Sequence, residues 1–455
     1  MSKIDPYIFR AYDIRGIYKK NLDEEVMLKI GFVLGKKKKS FVVGQDIRKS
    51  GKKLAAALIK GLTASGAKVF YTGRASYGQV LFAGWHLKLY MALYVTASHL
   101  PPEWNGLKLH YGNGAPMLEE EIKRLRDEVM KLNAQGLKLT AKISKLKKIN
   151  INKEYSDYLL DKFSNIKNNG LKIVVDCGNG AMCLSAPQIF KKLGFMVSEL
   201  YCNVDSNFSG RGSEPNSKAL VDLKKKIKKE KADFGVAFDG DGDRAVIVDN
   251  KSRYLNGNEV GIILAKSLIK NSRDKKIIIT VSCSMAFEKE LEPLGVKVIR
   301  VPVGYTFVIS GCEKHNTVLG IEESNHTVMP QYFLFDDALP VPLKIAEIIL
   351  KENKKLSELV DEIKVYPFEE IVFDCPDEDK FQILEKLKKD FSKRYKNVDT
   401  IDGVKINFNY GWALVRVSNT SPVIRLYVEA INREKFEQLK QKFSEVIKKE
   451  IKKFQ

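Results

Sequence analysis

Short apolar runs bounded by polar loops recur along the chain, with amphipathic stretches of helical period between them. Val42-Val43-Gly44 reads as a strand running into a loop at Gln45 to Ser50. The small-residue stretch Leu54 to Leu62 reads as a helix, Lys68 to Tyr71 as a second strand and Leu93-Tyr94-Val95 as a buried one. Strand and helix alternating in this way predict an α/β domain. The pattern restarts at the strand Ile173 to Asp176. It continues with strands on both sides of Asp239 to Arg244, and restarts at the helix Val260 to Ile269 followed by the strand Lys276 to Val281. Residues 118–170 form a charged, helix-rich connection in which Asp157 to Leu160 is helical. After a helix pair from Leu343 to Ile363, Tyr366-Pro367 reads as a linker, and the tail runs strand, helix, strands, helix. Its last helix places Phe436, Leu439, Phe443, Val446, Ile447, Ile451 and Phe454 at three- and four-residue steps. That stripe suits the cover of a small sheet; a helix lying on a membrane would use the same stripe.

At 455 residues the chain is too long for one core, so three or four domains are expected. Apolar content of 44% excludes a disordered chain. Met1 to Pro6 has no apolar core for a signal peptide, and no apolar run approaches the roughly 20 residues that span a bilayer. A cytoplasmic protein without a membrane partner is expected. The six cysteines include no C-x-x-C, which indicates neither a zinc site nor a disulfide framework but reduced thiols. The net charge of +21 admits a nucleic-acid partner. Its lysines, however, fall in short clusters such as Lys36 to Lys39, Lys224 to Lys226 and Lys448-Lys449, which read as solvated helix faces and ends. No aromatic-interleaved motif accompanies them, so no nucleic-acid partner is expected.

Chemistry concentrates at a few places. After Leu93-Tyr94-Val95 come Thr96-Ala97-Ser98-His99-Leu100-Pro101-Pro102 and then Asn105-Gly106-Leu107-Lys108. Two prolines forbid a helix and Asn-Gly demands a turn, so Ser98 sits on a stiff loop at a strand's end. An ordinary surface serine would look the same; a lipase-type nucleophile would not, because G-x-S-x-G is absent. Asp13 and Arg15, within Phe9 to Gly16, could form no more than a surface ion pair. Ile173 to Ala181 feeds a glycine turn like a dinucleotide site, but Cys183 stands where the third glycine belongs. In Asp239-Gly240-Asp241-Gly242-Asp243-Arg244 three carboxylates two residues apart would repel one another without a cation, and the glycines let the backbone aim them at one point. Hard oxygen ligands in small number suit Mg²⁺. An EF-hand fails here, with Arg244 at its glycine and Asn250 at its bidentate glutamate; a solvated acidic turn is the other reading. Glu322 offers two acceptor oxygens suited to vicinal hydroxyls, and His326 could equally be a packed histidine. Trp412 to Pro422, placed between strands, offers Arg416, hydroxyls and turn N–H groups as a phosphate clamp.

Taken in order from Phe9 to Ala430, these strings resemble the α-D-phosphohexomutases, whose loops are written FRxYDxRG, TASHNPxxxNGxK, VDxGNGA, DGDGDR, GGExSGH and RxSNTxP. The resemblance implies three related α/β domains with mixed sheets plus a smaller C-terminal α+β domain, at residues 1–150, 151–252, 253–366 and 367–455. It implies a mutase that interconverts a hexose 1-phosphate and a hexose 6-phosphate through a phosphoserine at Ser98 and a hexose 1,6-bisphosphate, which also serves as activator. Metal ligands would be Ser98 and Asp239, Asp241 and Asp243, holding Mg²⁺. Lys108, Arg15, His99, Arg244 and His326 would surround the transfer, with Lys108 as general acid or base once cationic neighbours lower its pKa. Tyr12, Gly304, Tyr305, Thr306, Glu322 and Ser324 would hold the sugar, and Arg416, Ser418, Asn419 and Thr420 the distal phosphate. The partners implied are sugar phosphates, which a basic field attracts, and the chain would be a monomer or homodimer. Departures stand at Leu100, Ile321, Asn325 and Ser421. Thr96, Tyr305-Thr306 and Asp336-Asp337 lean toward mannose and glucose phosphates. Phosphoglucosamine mutase and a non-catalytic sugar-phosphate binder are the alternatives.

Overall fold

The computed structural model describes residues 4–132, 146–376, 378–418 and 422–454; the expected clamp residues Asn419 and Thr420, and the departure at Ser421, lie outside them. Four sheets follow one another along the chain. The first unit holds β1 (Ile14–Ile17), α1 (Glu24–Gly35), β2 (Ser40–Gln45), α2 (Gly51–Ala64), β3 (Lys68–Arg74), α3 (Tyr77–His86), β4 (Met91–Val95), β5 (Trp104–Tyr111), α4 (Glu119–Met130) and β6 (Leu146–Lys148). Its sheet runs β1-β5-β4-β2-β3-β6, with β4, β2, β3 and β6 parallel, β5 alone turned back against them, and β1 antiparallel to β5. The connection expected to be helix-rich thus also supplies an edge strand, β6.

The second unit holds α5 (Asn152–Lys162), β7 (Lys172–Asp176), α6 (Ala186–Lys192), β8 (Met196–Leu200), α7 (Val221–Glu230), β9 (Phe234–Phe238), β10 (Ala245–Asp249) and β11 (Tyr254–Leu255), in the order β11-β10-β9-β7-β8. The third holds α8 (Gly257–Leu268), β12 (Lys276–Thr280), α9 (Ala286–Leu291), β13 (Lys297–Val301), α10 (Tyr305–His315), β14 (Leu319–Ile321), β15 (Thr327–Val328), α11 (Pro340–Glu352) and α12 (Leu356–Asp361), with sheet order β13-β12-β14-β15. Both sheets mix parallel and antiparallel neighbours. In each, the central strands β7 and β9, and β12 and β14, are buried on both sides, which is why they read as unbroken apolar runs, while the edge strands β8 and β13 are partly exposed.

The last unit is different. β16 (Phe368–Asp374), α13 (Lys380–Arg394), β17 (Val398–Asp399), β18 (Val404–Phe408), β19 (Gly411–Val417), β20 (Val423–Ala430) and α14 (Arg433–Ile451) form one antiparallel sheet, β16-β20-β19-β18-β17, covered by two helices. Asn432 caps α14 by accepting the Lys435 amide at 2.9 Å. Phe436, Leu439, Phe443, Ile447 and Ile451 are buried against that sheet, and Val446 and Phe454 flank them. Trp412 to Val417 is itself strand β19, not loop, so Arg416 is fixed on a ladder.

One apolar core runs from α3 through the second and third sheets, tying the first three units together. Within it Asp337 accepts the Tyr155 hydroxyl at 2.8 Å and the Leu339 amide at 3.2 Å. Burial pushes its carboxyl up to about 7. A carboxyl raised above its unfolded value of about 3.9 takes up a proton on folding, so it favours the fold at low pH. That advantage is lost as pH rises from about 4 to about 7. Asp337→Asn is therefore expected to flatten the decline of Tm over this window in thermal melts; an unchanged slope would show that other groups set it. All six cysteines are free thiols, and among the described residues no helix is long and apolar enough to cross a membrane.

Candidate active site

The chain turns sharply where β4 ends. Thr96 Oγ1 accepts the Ser98 amide at 2.8 Å and lies 2.8 Å from Asp46 Oδ2 and 3.1 Å from Asp241 Oδ2. Ser98 adopts φ +51°, the left-handed region that serine seldom enters. Such backbone costs about 1–3 kcal/mol and persists only where the surroundings over-determine it. Arg48 supplies much of that determination. It is buried, its Nε bonds Asp46 Oδ2 at 2.9 Å, and its guanidinium donates to the carbonyls of Ser98, Leu100, Pro101 and Trp104. The Leu100 carbonyl also accepts the Ser213 hydroxyl at 3.1 Å. The loop is thus held through its backbone at Leu100. Arg48→Met keeps the bulk but leaves Asp46 buried beside no cation, which costs about 3–5 kcal/mol. A clear fall in Tm and in denaturant midpoint is expected; an unchanged midpoint would show that the loop does not depend on the guanidinium.

Asp239, Asp241 and Asp243 occupy the turn between β9 and β10, and each offers one oxygen within 4.8 Å of the others. Gly242 takes φ +81°, with the Met182 sulfur where a Cβ would stand; only glycine permits the turn. Asp239 Oδ2 lies 3.1 Å from Ser98 Oγ. Burial raises the carboxyls of Asp239 and Asp241, with Asp243 raising the first further and Lys108 opposing for the second. Asp241 Oδ1 and Asp243 Oδ1 are buried without a hydrogen-bond partner. Two orphaned carboxylate oxygens beside a third carboxylate fit a hard divalent cation such as Mg²⁺.

Lys108, on β5, lies with its Nζ 3.0 Å from Asp241 Oδ2, in contact with Asp243, and 4.5 Å from the centre of the Tyr77 ring. This corrects the expectation of a lowered pKa. Burial alone would lower it, but Asp241 and Asp243 raise it well above the ordinary lysine value. Beside these two carboxylates the lysine favours its ammonium form. His99 is the opposite case: burial first, then Arg244 and Arg15, push it well below the ordinary value, although a third of its side chain meets solvent. Its Nδ1 lies 3.3 Å from Ser98 Oγ. His326 Nδ1 lies 2.7 Å from Asp336 Oδ2 and 3.9 Å from Asp243. Burial opposes its charge, yet Asp243 and Asp336 raise it to about 9. Arg15 does pair with Asp13, at 2.7 Å, but inside the cleft wall. Arg244 bonds both oxygens of Glu214, at 3.1 and 2.9 Å.

Above these groups opens a cleft of about 540 Å³ lined by all four units. Glu322, 4% exposed, accepts the Gly304 amide at 3.1 Å and the Ser324 hydroxyl at 2.9 Å. Gly304 takes φ +140°, and a Cβ there would strike the Tyr12 ring. Tyr12 in turn donates to the Val303 carbonyl at 2.9 Å. Tyr305 lines the cleft, whereas Thr306 is buried in the first turn of α10 and does not. Asn325 takes φ +72°, a conformation asparagine tolerates better than most residues; its substitution therefore preserves a turn that glycine would also make. On the far wall Arg416 bonds Asp402 at 3.0 Å, and Ser418 lies just beyond it. Sequence reasoning missed Asp46, Arg48, Glu214 and Arg425. Arg425 lies opposite Arg416 in the β19–β20 register, pairs with Glu370 and lines the same cleft. Asp46 and Arg48 follow β2 as Ser98 follows β4, and that parallel was the available signal.

A serine hydroxyl against clustered carboxylates, beneath a cleft walled by arginines, defines an enzyme built to handle phosphoryl groups. Models of the phosphoglucomutase/phosphomannomutase alpha/beta/alpha domains I, II and III match residues 6–135, 153–253 and 256–366, and the C-terminal domain model matches 370–446. The chain is 33% identical over 438 residues to a phosphoglucomutase/phosphomannomutase of Thermococcus kodakarensis, covering 94% of this chain and 95% of that one. It is 32% identical over 436 residues to a phosphoglucosamine mutase of Methanococcus aeolicus, covering 93% and 95%. A solved phosphoglucomutase/phosphomannomutase family protein of Burkholderia thailandensis superposes with a TM-score of 0.88 at 27% identity, over 98% of both chains. The chain belongs to the phosphoglucomutase/phosphomannomutase family, the α-D-phosphohexomutases, and is a phosphohexomutase.

Proposed function

We propose that the enzyme interconverts the 1- and 6-phosphates of mannose or glucose through a phosphorylated Ser98. The observation that carries this reading is Ser98 Oγ at 3.1 Å from Asp239, on a strained turn held from below by Arg48. The phosphoryl group leaves Ser98 Oγ as the P–O bond breaks, and a new P–O bond forms to the free hydroxyl of the bound hexose monophosphate. The hydroxyl's proton passes to a neutral acceptor, for which His99 is suited. Lys108, as an ammonium group, returns a proton to Ser98 Oγ. The resulting hexose 1,6-bisphosphate turns over within the cleft, and its other phosphate goes back to Ser98. Glu322 and Ser324 bind ring hydroxyls in either orientation. Arg416, Ser418, Asn419 and Thr420 hold the phosphate that is not reacting, and Arg15 and Arg244 neutralise the one that is. Asp239, Asp241 and Asp243 would hold Mg²⁺ with the oxygen of Ser98 or its phosphoryl group, and the bound cation supplies charge neutralisation during transfer.

The kinship to phosphoglucosamine mutases supports a second reading, in which the sugar is glucosamine. Parallel assays with mannose 1-, glucose 1- and glucosamine 1-phosphate, with magnesium and a trace of hexose bisphosphate, separate the two. Turnover of glucosamine 1-phosphate alone would overturn the mannose and glucose reading. Binding of all three without turnover of any would mark a non-catalytic member of the fold.

A further inference from the structure

The basic charge of the chain is not spread evenly, and the fold gathers it. Residues 26–102 contain thirteen lysines and arginines against Asp46 alone, more than half of the net +21. Four neighbouring strands of the first sheet, β4, β2, β3 and β6, run parallel, so their N-terminal ends share one edge. Each brings lysine to that edge: Lys88 before β4, Lys36 to Lys39 before β2, Lys68 opening β3 and Lys147 on β6. Backbone bonds fix the alignment, from the Tyr90 amide to the Ser40 carbonyl at 2.8 Å and from the Lys68 amide to the Lys39 carbonyl at 3.0 Å. Adjacent strands lie about 4.8 Å apart, so the row spans about 15 Å. Lys38, Lys39, Lys68 and Lys147 line a shallow depression of about 750 Å³.

All seven lysines are exposed. The acids of the segment and its near neighbours are engaged elsewhere, Glu25 with Lys29 and Asp46 with Arg48, and among the described residues no carboxylate pairs with the seven. The negative end of α1 accounts for a favourable place for one or two of them, not for a row across four strands. Just before Lys88 the chain also exposes Trp85 (39%) and Leu87 (38%). The catalytic loops leave the opposite ends of β2 and β4, about 17–20 Å away along the strands. This edge is outside the cleft and plays no part in the proposed transfer.

We propose that this edge is a docking surface for an anionic lipid bilayer. Two observations favour a membrane over a nucleic acid. The cations are all lysines, point charges suited to diffuse attraction, with no arginine to read phosphate geometry bidentately. Beside them stand Leu87 and the open edge of Trp85, whose ring is anchored on Phe82, Tyr158 and Phe333, the kind of side chains that settle at a lipid headgroup boundary. Docked in this way, the enzyme keeps its cleft facing the aqueous phase.

Sedimentation of the full-length protein with vesicles tests the proposal. Binding is expected to vesicles of phosphatidylcholine containing a third phosphatidylglycerol and not to phosphatidylcholine alone, and raised salt should release it. Combining Lys36→Ser, Lys37→Ser, Lys38→Ser and Lys39→Ser should weaken binding by about tenfold or more, with mutase turnover unchanged as the control for folding. Trp85→Ser should weaken it further at constant charge. Equal binding to both vesicle types, or undiminished binding by the fourfold variant, overturns the proposal. So does unchanged binding by Trp85→Ser, or displacement from the vesicles by duplex DNA at equal phosphate concentration, since either marks plain polyanion affinity.

Discussion

Ser98→Ala is expected to lose mutase turnover by about four to six orders of magnitude, the scale on which removal of a covalent nucleophile acts. The fold should survive. Among the described residues the Ser98 hydroxyl hydrogen-bonds only with Asp239 and the His99 ring, while the turn itself is held by Thr96 Oγ1 and the Arg48 guanidinium. Alanine meets the same φ of +51° that serine already accepts, so a Tm within about a degree or two of wild type is expected. Intact mass gives the second measurement. After incubation with a hexose 1,6-bisphosphate the wild-type chain should carry one phosphoryl group and Ser98→Ala none. A variant that keeps its turnover, or a wild type that never takes up phosphate, sinks the phosphoserine reading.

The chemistry of this site was legible in the sequence wherever it depends on neighbours along the chain. Three aspartates at two-residue spacing between apolar runs had to meet at one point, and they do. Ser98 on a proline-stiffened turn could be placed at a strand end because β4 ends at Val95. What could not be read is what distant segments do to one another. Arg48 contributes through carbonyls some fifty residues away, and carbonyls leave no mark in a sequence. Lys108 was expected among cations, because Arg15, His99 and Arg244 were placed around the same transfer; the fold instead sets it against Asp241 and Asp243, and the sign of its shift reverses. The same limit applied to the surface. Lysine clusters that look scattered in one dimension become a row when four parallel strands bring their first residues to a common edge. Trp412 to Val417 was misplaced because its polar sequel drew attention to the loop, whereas its own apolar run, broken only by Arg416, belongs to a strand buried on both sides.

Asp241→Asn should separate stability from activity. In EDTA the variant is expected to be as stable as wild type or more so, because burial already disfavours the Asp241 carboxylate and its neighbour Asp239 repels it. Lys108 keeps Asp243 as its partner, so no buried cation is stranded. Magnesium should reverse the order. A ligand present at about a hundred times its Kd stabilises the form that binds it by about 2.7 kcal/mol, and wild type should show that gain as a rise in Tm. The variant, lacking one of three charged ligands, should show little of it. Turnover should fall by about a thousandfold or more, since the several kcal/mol of charge stabilisation that a divalent cation contributes to phosphoryl transfer would be largely lost. The three measurements constrain one another. If the variant melts lower than wild type in EDTA, Asp241 is a structural anchor for Lys108 and Thr96 before it is a ligand. If its Tm rises with magnesium as much as wild type's does, the cation is held by other groups, and the carboxylates serve only to position Lys108.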